Sequence, residues 1–174
     1  FFFKQKTAYE ILTCDWVQTC ALPIFGFARD KGIVDSNKRN RIERVGYASG
    51  TCLFTSQRVL KKIGLFDPFL FLYHDDLDLG WRAAQIDIKS YYVPASIVYH
   101  AESYNFRWSS KKFYWLERNR RYCLLTHYSK NTYKRIFPYL LQTEILVWIF
   151  YLTKGFVGPK IRARSEEHTS ELQS

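Results

Sequence analysis

Three carboxylates stand within four residues at Asp75, Asp76 and Asp78, behind the aromatic approach Phe71-Leu-Tyr-His74 and ahead of Trp81-Arg82. Such crowding raises the cost of ionising the last of them, so a cation is expected nearby. Two kinds of chemistry fit. In one, the acids cap a helix and offset its dipole, with Asp78 pairing Arg82 one turn on. In the other, a carboxylate held where an aromatic loop meets a helix acts as a general base and takes a proton from a hydroxyl. His100 closes the run Ile97-Val-Tyr-His100, and a lone histidine ending a strand reads by itself as structural. Gly50 serves either a tight turn or the close approach of a ligand to the backbone.

The elements that must position these groups follow from spacing. Val45-Gly-Tyr-Ala-Ser-Gly-Thr-Cys-Leu-Phe54 predicts a buried strand entered through a tight loop, and Thr55 or Ser56 caps a helix over 57–63 that Gly64 stops. The aromatic, proline-broken stretch 66–73 predicts a short turn feeding an extended segment. Residues 75–85 have helical spacing, with Leu77, Trp81 and Ala84 on the expected buried stripe. Short strands are predicted at 90–94 and 97–100. Ser109 or Ser110 caps a helix reaching about Tyr128, in which Glu117 is placed to pair with Arg121. Beyond Pro138, residues 139–153 are apolar except for Gln142, Thr143 and Glu144.

The two ends have a different character. Residues 1–24 and 164–174 resemble translated sequencing-library adapters, through Phe1-Phe-Phe-Lys-Gln-Lys-Thr-Ala-Tyr-Glu-Ile11, Val17-Gln-Thr-Cys-Ala-Leu-Pro-Ile24 and Arg164-Ser-Glu-Glu-His-Thr-Ser-Glu-Leu-Gln-Ser174. The natural segment is then expected to be 25–163. It divides into 25–108, carrying the acid cluster, and 109–163, a basic helix and an apolar tail. Without the ends the net charge rises from +10 to +12, which calls for an acidic partner: nucleic acid, an anionic membrane face or a phosphate-bearing substrate. The two cysteines left, Cys52 and Cys123, are too few and too distant for a disulfide framework, so a reducing, cytoplasmic setting is expected.

Five blocks occur in fixed order: Gly50-Thr-Cys-Leu-Phe54, Val59-Leu-Lys-Lys-Ile-Gly-Leu-Phe-Asp67, Phe71-Leu-Tyr-His-Asp-Asp-Leu-Asp-Leu79 with Trp81-Arg82, Tyr92-Val-Pro-Ala95 and Val98-Tyr-His100. Together they resemble successive motifs of the family 2 glycosyltransferases of the GT-A type. Glu117-Arg-Asn-Arg120 resembles the segment after the catalytic core in many members. The resemblance implies an α/β fold, a fragment of a GT-A (Rossmann-like) mixed sheet with flanking helices, followed by C-terminal amphipathic or membrane-interfacial helices. It implies inverting transfer of a sugar from a nucleotide-diphospho-sugar to an acceptor hydroxyl, in cell-surface polysaccharide or glycolipid synthesis.

Carried onto this chain, the family's acidic pair falls on Asp75-Asp76, and its second member makes Asp76 the expected catalytic base. The family's usual Glu is Asp at 75, which shortens the arm of any acceptor bond. Asp75, Asp78, Gly50 and Arg82 are expected on the substrate side, and His100 as a ligand of Mn²⁺ or Mg²⁺. Most other ligands are expected from an N-terminal half not in this chain, without which the fragment is expected to be inactive.

Lys111, Lys112, Arg118, Arg120, Arg121, Lys130, Lys134 and Arg135 precede the apolar tail, a pattern expected of a segment lying on anionic lipid at the inner face of the cell membrane, near a lipid-linked acceptor. Two rival readings are a basic module binding nucleic acid and an inactive membrane-associated fragment. No nucleic-acid-binding motif accompanies the charge, so nucleic acid is not expected as the partner.

Overall fold

The computed structural model describes residues 9–10, 27–28, 41–98 and 109–165. These fall into two compact units, one built on residues up to 71 together with 75–98, the other on 72–74 with 109–165. Among the described residues, two short antiparallel strand pairs and five α-helices give an α/β make-up.

In the first unit, β1 (Tyr9–Glu10) pairs with β2 (Phe27–Ala28), and β3 (Glu43–Val45) pairs antiparallel with β4 (Ser90–Tyr92), Glu43 opposite Tyr92 and Val45 opposite Ser90. The buried strand expected within 45–54, after a tight loop, is not formed, and β3 ends at Val45. The Ser49 side chain takes the Thr51 N–H and opens a 3-10 turn over Gly50–Cys52, a local bond that competes with a strand ladder. Helix α1 (Gln57–Ile63) is as expected: Ser56 Oγ accepts from the Val59 N–H at 3.2 Å, and Gly64, at φ 81°, closes it.

Helix α2 (Asp75–Gln85) also has the expected limits, but its buried stripe differs. Leu77, Leu79, Gly80 and Ala83 are buried, whereas Trp81 is half-buried and Ala84 exposed. Gly80 sets this rotation. A Cβ there would lie 2.3 Å from Tyr47 Cβ, so only glycine lets α2 lie against that residue. Val45, Tyr47, Leu70 and Val98 complete the core.

The segment expected to be extended before α2 is a left-handed turn. Asp67 accepts from Phe69 N through Oδ1 and from Leu70 N through its carbonyl, and then Phe71, Tyr73 and His74 adopt φ of 49°, 69° and 64°. Of the second strand expected around Pro94, only 97–98 is described; Ser96 N–H bonds the Val93 carbonyl to form the turn between them.

In the second unit α3 (Ser110–His127) is capped by Ser109 as expected. Helix α4 (Lys130–Lys154) begins well before Pro138 and passes through it, and α5 (Val157–Ser165) follows the left-handed Gly155. Phe113 packs on Phe156 (4.4 Å between ring centroids) and Tyr151 (5.0 Å), and the Tyr151 hydroxyl donates to the Phe113 carbonyl.

The Glu117–Arg121 pair expected from spacing is not the one formed. Glu117 Oε1 accepts from Arg120 at 2.8 Å and from Lys160 Nζ at 2.5 Å, and both cations also hold Glu144 at 2.7 Å. The network ties α3, α4 and α5 together, with Lys160 fully buried. Burial pushes Glu117 up, but its two bonded partners, Arg120 and Lys160, outweigh it and hold the carboxyl down at about 2.

Candidate functional site

Asp76 sits in the first turn of α2, half-buried, and both its oxygens are engaged by backbone. Oδ1 accepts from Leu77 N–H at 2.8 Å, and Oδ2 accepts from Gly50 N–H at 3.0 Å. Burial pushes its carboxyl above the ordinary value; the Gly50 bond pulls back, and the adjacent Asp75 charge pushes up again. Each oxygen keeps a second lone pair, so the group is fixed in direction and still able to take a proton.

Asp76 lines a cleft of about 480 Å³, together with Tyr47, Ser49, Cys52, Tyr91 and Ser96. Cys52 Sγ and Ser96 Oγ meet at 3.7 Å at its edge. The cleft lies wholly within the first unit. Asp75 is half-buried beside it in sequence.

Gly50 is brought to Asp76, but for a reason not read from sequence. A Cβ at 50 would meet Asp76 Cβ at 3.6 Å, an ordinary contact, so what the position supplies is its N–H. Asp78 and Arg82 are brought to each other. Asp78 is 2% exposed, and its Oδ2 accepts from Arg82 Nη2 at 2.7 Å. Nη2 also donates to the Leu65 carbonyl at 2.7 Å and Nη1 to the Ile63 carbonyl, so Arg82 ties α2 to the end of α1. Here the capping and pairing alternative describes the observed bonds. His100, the expected metal ligand, lies outside the described residues.

The α2 carboxylates do not make a cation cradle by themselves. Asp78 is neutralised by Arg82, and Asp75 and Asp76 together fall short of the six or more oxygens a hard cation collects.

One residue that spacing did not single out stands out in the second unit. Asn119 is fully buried, and its Nδ2 donates to the carbonyls of both Leu72 (2.8 Å) and Tyr73 (2.7 Å). Its signal in the sequence is the one neutral amide inside Glu117-Arg-Asn-Arg120.

Residues 31–123, more than half of the chain, match the family described as glycosyltransferase like family 2, and the chain belongs to that family. Its fold is a GT-A fragment followed by C-terminal helices. It is 36% identical over 61 residues to N-acetylglucosaminyl-diphospho-decaprenol L-rhamnosyltransferase of Mycobacterium tuberculosis, in strain CDC 1551 / Oshkosh and equally in strain ATCC 25618 / H37Rv. That alignment covers 35% of this chain and 20% of each relative, so the chain matches about a fifth of their length. No solved structure matches.

Proposed function

We propose that the intact parent of this chain transfers a sugar, with inversion, from a nucleotide-diphospho-sugar to the hydroxyl of a lipid-linked acceptor, in the synthesis of a cell-surface polysaccharide or glycolipid. The observation that carries the chemistry is the Asp76 carboxylate, held by two backbone N–H groups beside a cleft and biased by burial toward proton uptake. Inversion needs a base on the acceptor's side of the sugar, and a fixed carboxylate of raised pKa is suited to draw the acceptor's proton as its oxygen attacks.

Asp75 is the residue we assign to acceptor binding, with the Gly50 turn aiming Asp76. Asp78 and Arg82 support the site from behind by fixing α2 on α1. A divalent Mn²⁺ or Mg²⁺ would neutralise the leaving diphosphate, and its ligands belong elsewhere in the parent, with His100 as this chain's contribution. No step assigned to α2 passes through the ion. The chain alone, matching a fifth of its relatives' length, is proposed to be inactive, and residues 1–24 and 164–174 to be foreign to the parent.

The lipid-linked acceptor is supported by the named relative and by α4. That helix is long and apolar enough to cross a membrane, and exposes Leu141, Ile145, Leu146, Ile149 and Leu152. Its Glu144 is turned to Arg120 and Lys160, so the opposite face is the one available to lipid. The two acids of the described helices α3 to α5 are both held in that network, and the other charges there are basic. We therefore place α4 in the plane of an anionic inner membrane face, not across it, since α3 carries Lys111, Lys112, Arg118 and Arg121 alongside and these do not enter hydrocarbon.

The test is transfer by the full-length parent from a panel of labelled nucleotide-sugars to polyprenyl-diphosphate-linked sugars in anionic vesicles. A lipid product of inverted anomeric configuration is expected. Salt-sensitive retention of RNA or DNA without turnover of any donor would replace this reading by that of a basic binding module.

A further inference from the structure

The turn that leads into the acid helix is costly for its residues. Phe71, Tyr73 and His74 all carry a side chain at positive φ, a region that glycine adopts freely and bulky residues avoid. Something must hold it. The His74 ring makes no bond through its buried Nδ1. Asn119 Nδ2, in contrast, donates one hydrogen to the Leu72 carbonyl at 2.8 Å and the other to the Tyr73 carbonyl at 2.7 Å. In an extended segment successive carbonyls point to opposite sides; here both turn to one nitrogen.

The residue type is specific to this task. A primary amide is the one short neutral side chain with two hydrogens on one atom, set in a plane so that each meets a different oxygen. Its orientation is fixed in turn: Oδ1 accepts from Arg118 Nε at 2.9 Å, which keeps the nitrogen end toward the turn. Arg118 itself lies over the Trp115 ring, its guanidinium carbon 4.2 Å from the centroid. An aspartate at 119 would set oxygen against two carbonyl oxygens, and an alanine would leave both carbonyls without their donor.

We propose that Asn119 is a positioning residue for Asp76: by holding the carbonyls of Leu72 and Tyr73 it fixes the left-handed turn through which the chain enters Asp75 and Asp76. This rests on the reading of Asp76 as general base. His74 is bonded directly to Asp75, so a turn released from Asn119 leaves the backbone at the start of α2, where Asp75 and Asp76 stand, free to fray. Misplacement of a base by about 1 Å costs on the order of 10²-fold in rate, so release of the turn is felt in the chemical step and not in donor binding.

The experiment compares Asn119→Asp, Asn119→Ala, Asp76→Asn and the two double variants in the full-length parent. Turnover, donor KM and far-ultraviolet circular dichroism are recorded for each. The expected result is a fall of roughly 10- to 100-fold in kcat for either Asn119 variant, with donor KM within about threefold. The same substitution should lower kcat by less than about threefold once Asp76 is already Asn, because effects that pass through one residue do not add. A kcat within about twofold of the parent in folded Asn119 variants overturns the proposal, as do losses that multiply with that of Asp76→Asn. Failure of both Asn119 variants to fold overturns it too, since the amide would then serve the fold and not the site. The general-base reading is judged separately, on Asp76→Asn alone: near-parental turnover there removes it whatever the Asn119 variants do.

Discussion

The backbone N–H of Gly50 donates to Asp76 Oδ2 at 3.0 Å, joining a 3-10 turn to the first turn of α2 across 26 positions of sequence. With Leu77 N–H on the other oxygen, the carboxylate has no freedom to rotate. Asp76→Asn must therefore point an NH₂ group at one of these two N–H donors. Turnover of the parent should fall by roughly 10² to 10⁴, and stability by about 1 kcal/mol or less, because one donor loses its acceptor at a site that water still reaches. Turnover assays paired with thermal melts measure both, and an unchanged rate would remove Asp76 from the chemistry.

Gly50 itself separates the N–H from the absence of a side chain. Gly50→Ala keeps the donor and adds a Cβ at ordinary contact distance, so turnover should stay within about threefold. Gly50→Pro deletes the donor, and Ser49, at φ −63° and ψ 136°, already has the backbone a residue before proline adopts. Its turnover should drop by about tenfold or more. Equal effects of the two substitutions would mean that the bond to Asp76 is not what matters at this position.

Asp78→Asn tests the division of labour within the acid cluster. Its carboxylate is buried against Arg82, which also donates to the Ile63 and Leu65 carbonyls, so removing its charge loosens α2 from α1. A loss of about 1–3 kcal/mol is expected in urea unfolding, larger than an exposed i,i+4 pair would give, because Asp78 is buried. Turnover at a temperature where the variant is folded should change far less than in Asp76→Asn. A rate loss as large as that of Asp76→Asn would move Asp78 into the site.

What was legible in the sequence was whatever is decided within a few residues. Ser56 and Gly64 bound α1, Ser109 starts α3, and α2 runs between its expected limits, because caps and periodicity are local. The family was legible too, since five ordered blocks carry more information than any one residue. What was not legible depends on partners far along the chain. Trp81 loses the core stripe to Gly80 because Tyr47 packs there, and Glu117 turns from Arg121 to Arg120 because Lys160 arrives from α5. The left-handed turn at 71–74 was missed for the same reason: nothing within it announces Asn119.

Acid should weaken the second unit in two stages. Burial first, then the nearby Arg120, lowers His74 to about 4, below its ordinary 6.5, with Glu117 opposing. The unfolded chain thus binds this proton more readily than the folded one between about pH 6.5 and 4, and stability falls as pH drops through that window, by on the order of 3 kcal/mol at most. Glu117 has the same sign lower down: held at about 2 against an ordinary 4.5, it contributes above pH 4.5 and is lost as pH falls toward 2. His74→Asn, a residue that tolerates the left-handed backbone, should abolish the first stage and leave the second. Chemical unfolding at half-unit steps of pH resolves them, and an unchanged slope above pH 4.5 in that variant would assign the first stage elsewhere.

Lys160 joins α5 to α3 and α4 through two carboxylates. Its Nζ lies between Glu117 and Glu144, fully buried, with the Trp148 and Tyr151 rings at 5.4 and 5.6 Å. Lys160→Met fits a similar volume among those rings but leaves two carboxylates with Arg120 alone, an uncompensated buried charge worth about 3–5 kcal/mol. Charge balance, not the number of ion pairs, then decides the outcome. Adding Glu144→Gln to Lys160→Met leaves the buried pair of Glu117 and Arg120 neutral overall, and should recover most of the loss. Glu144→Gln alone strands an excess of positive charge, but at a position more open to water, so its cost should be smaller than that of Lys160→Met. Urea midpoints of the three variants measured at constant m-value give the order directly. A double variant no more stable than Lys160→Met would show that the geometry of the four-membered network, and not its net charge, holds α3, α4 and α5 together.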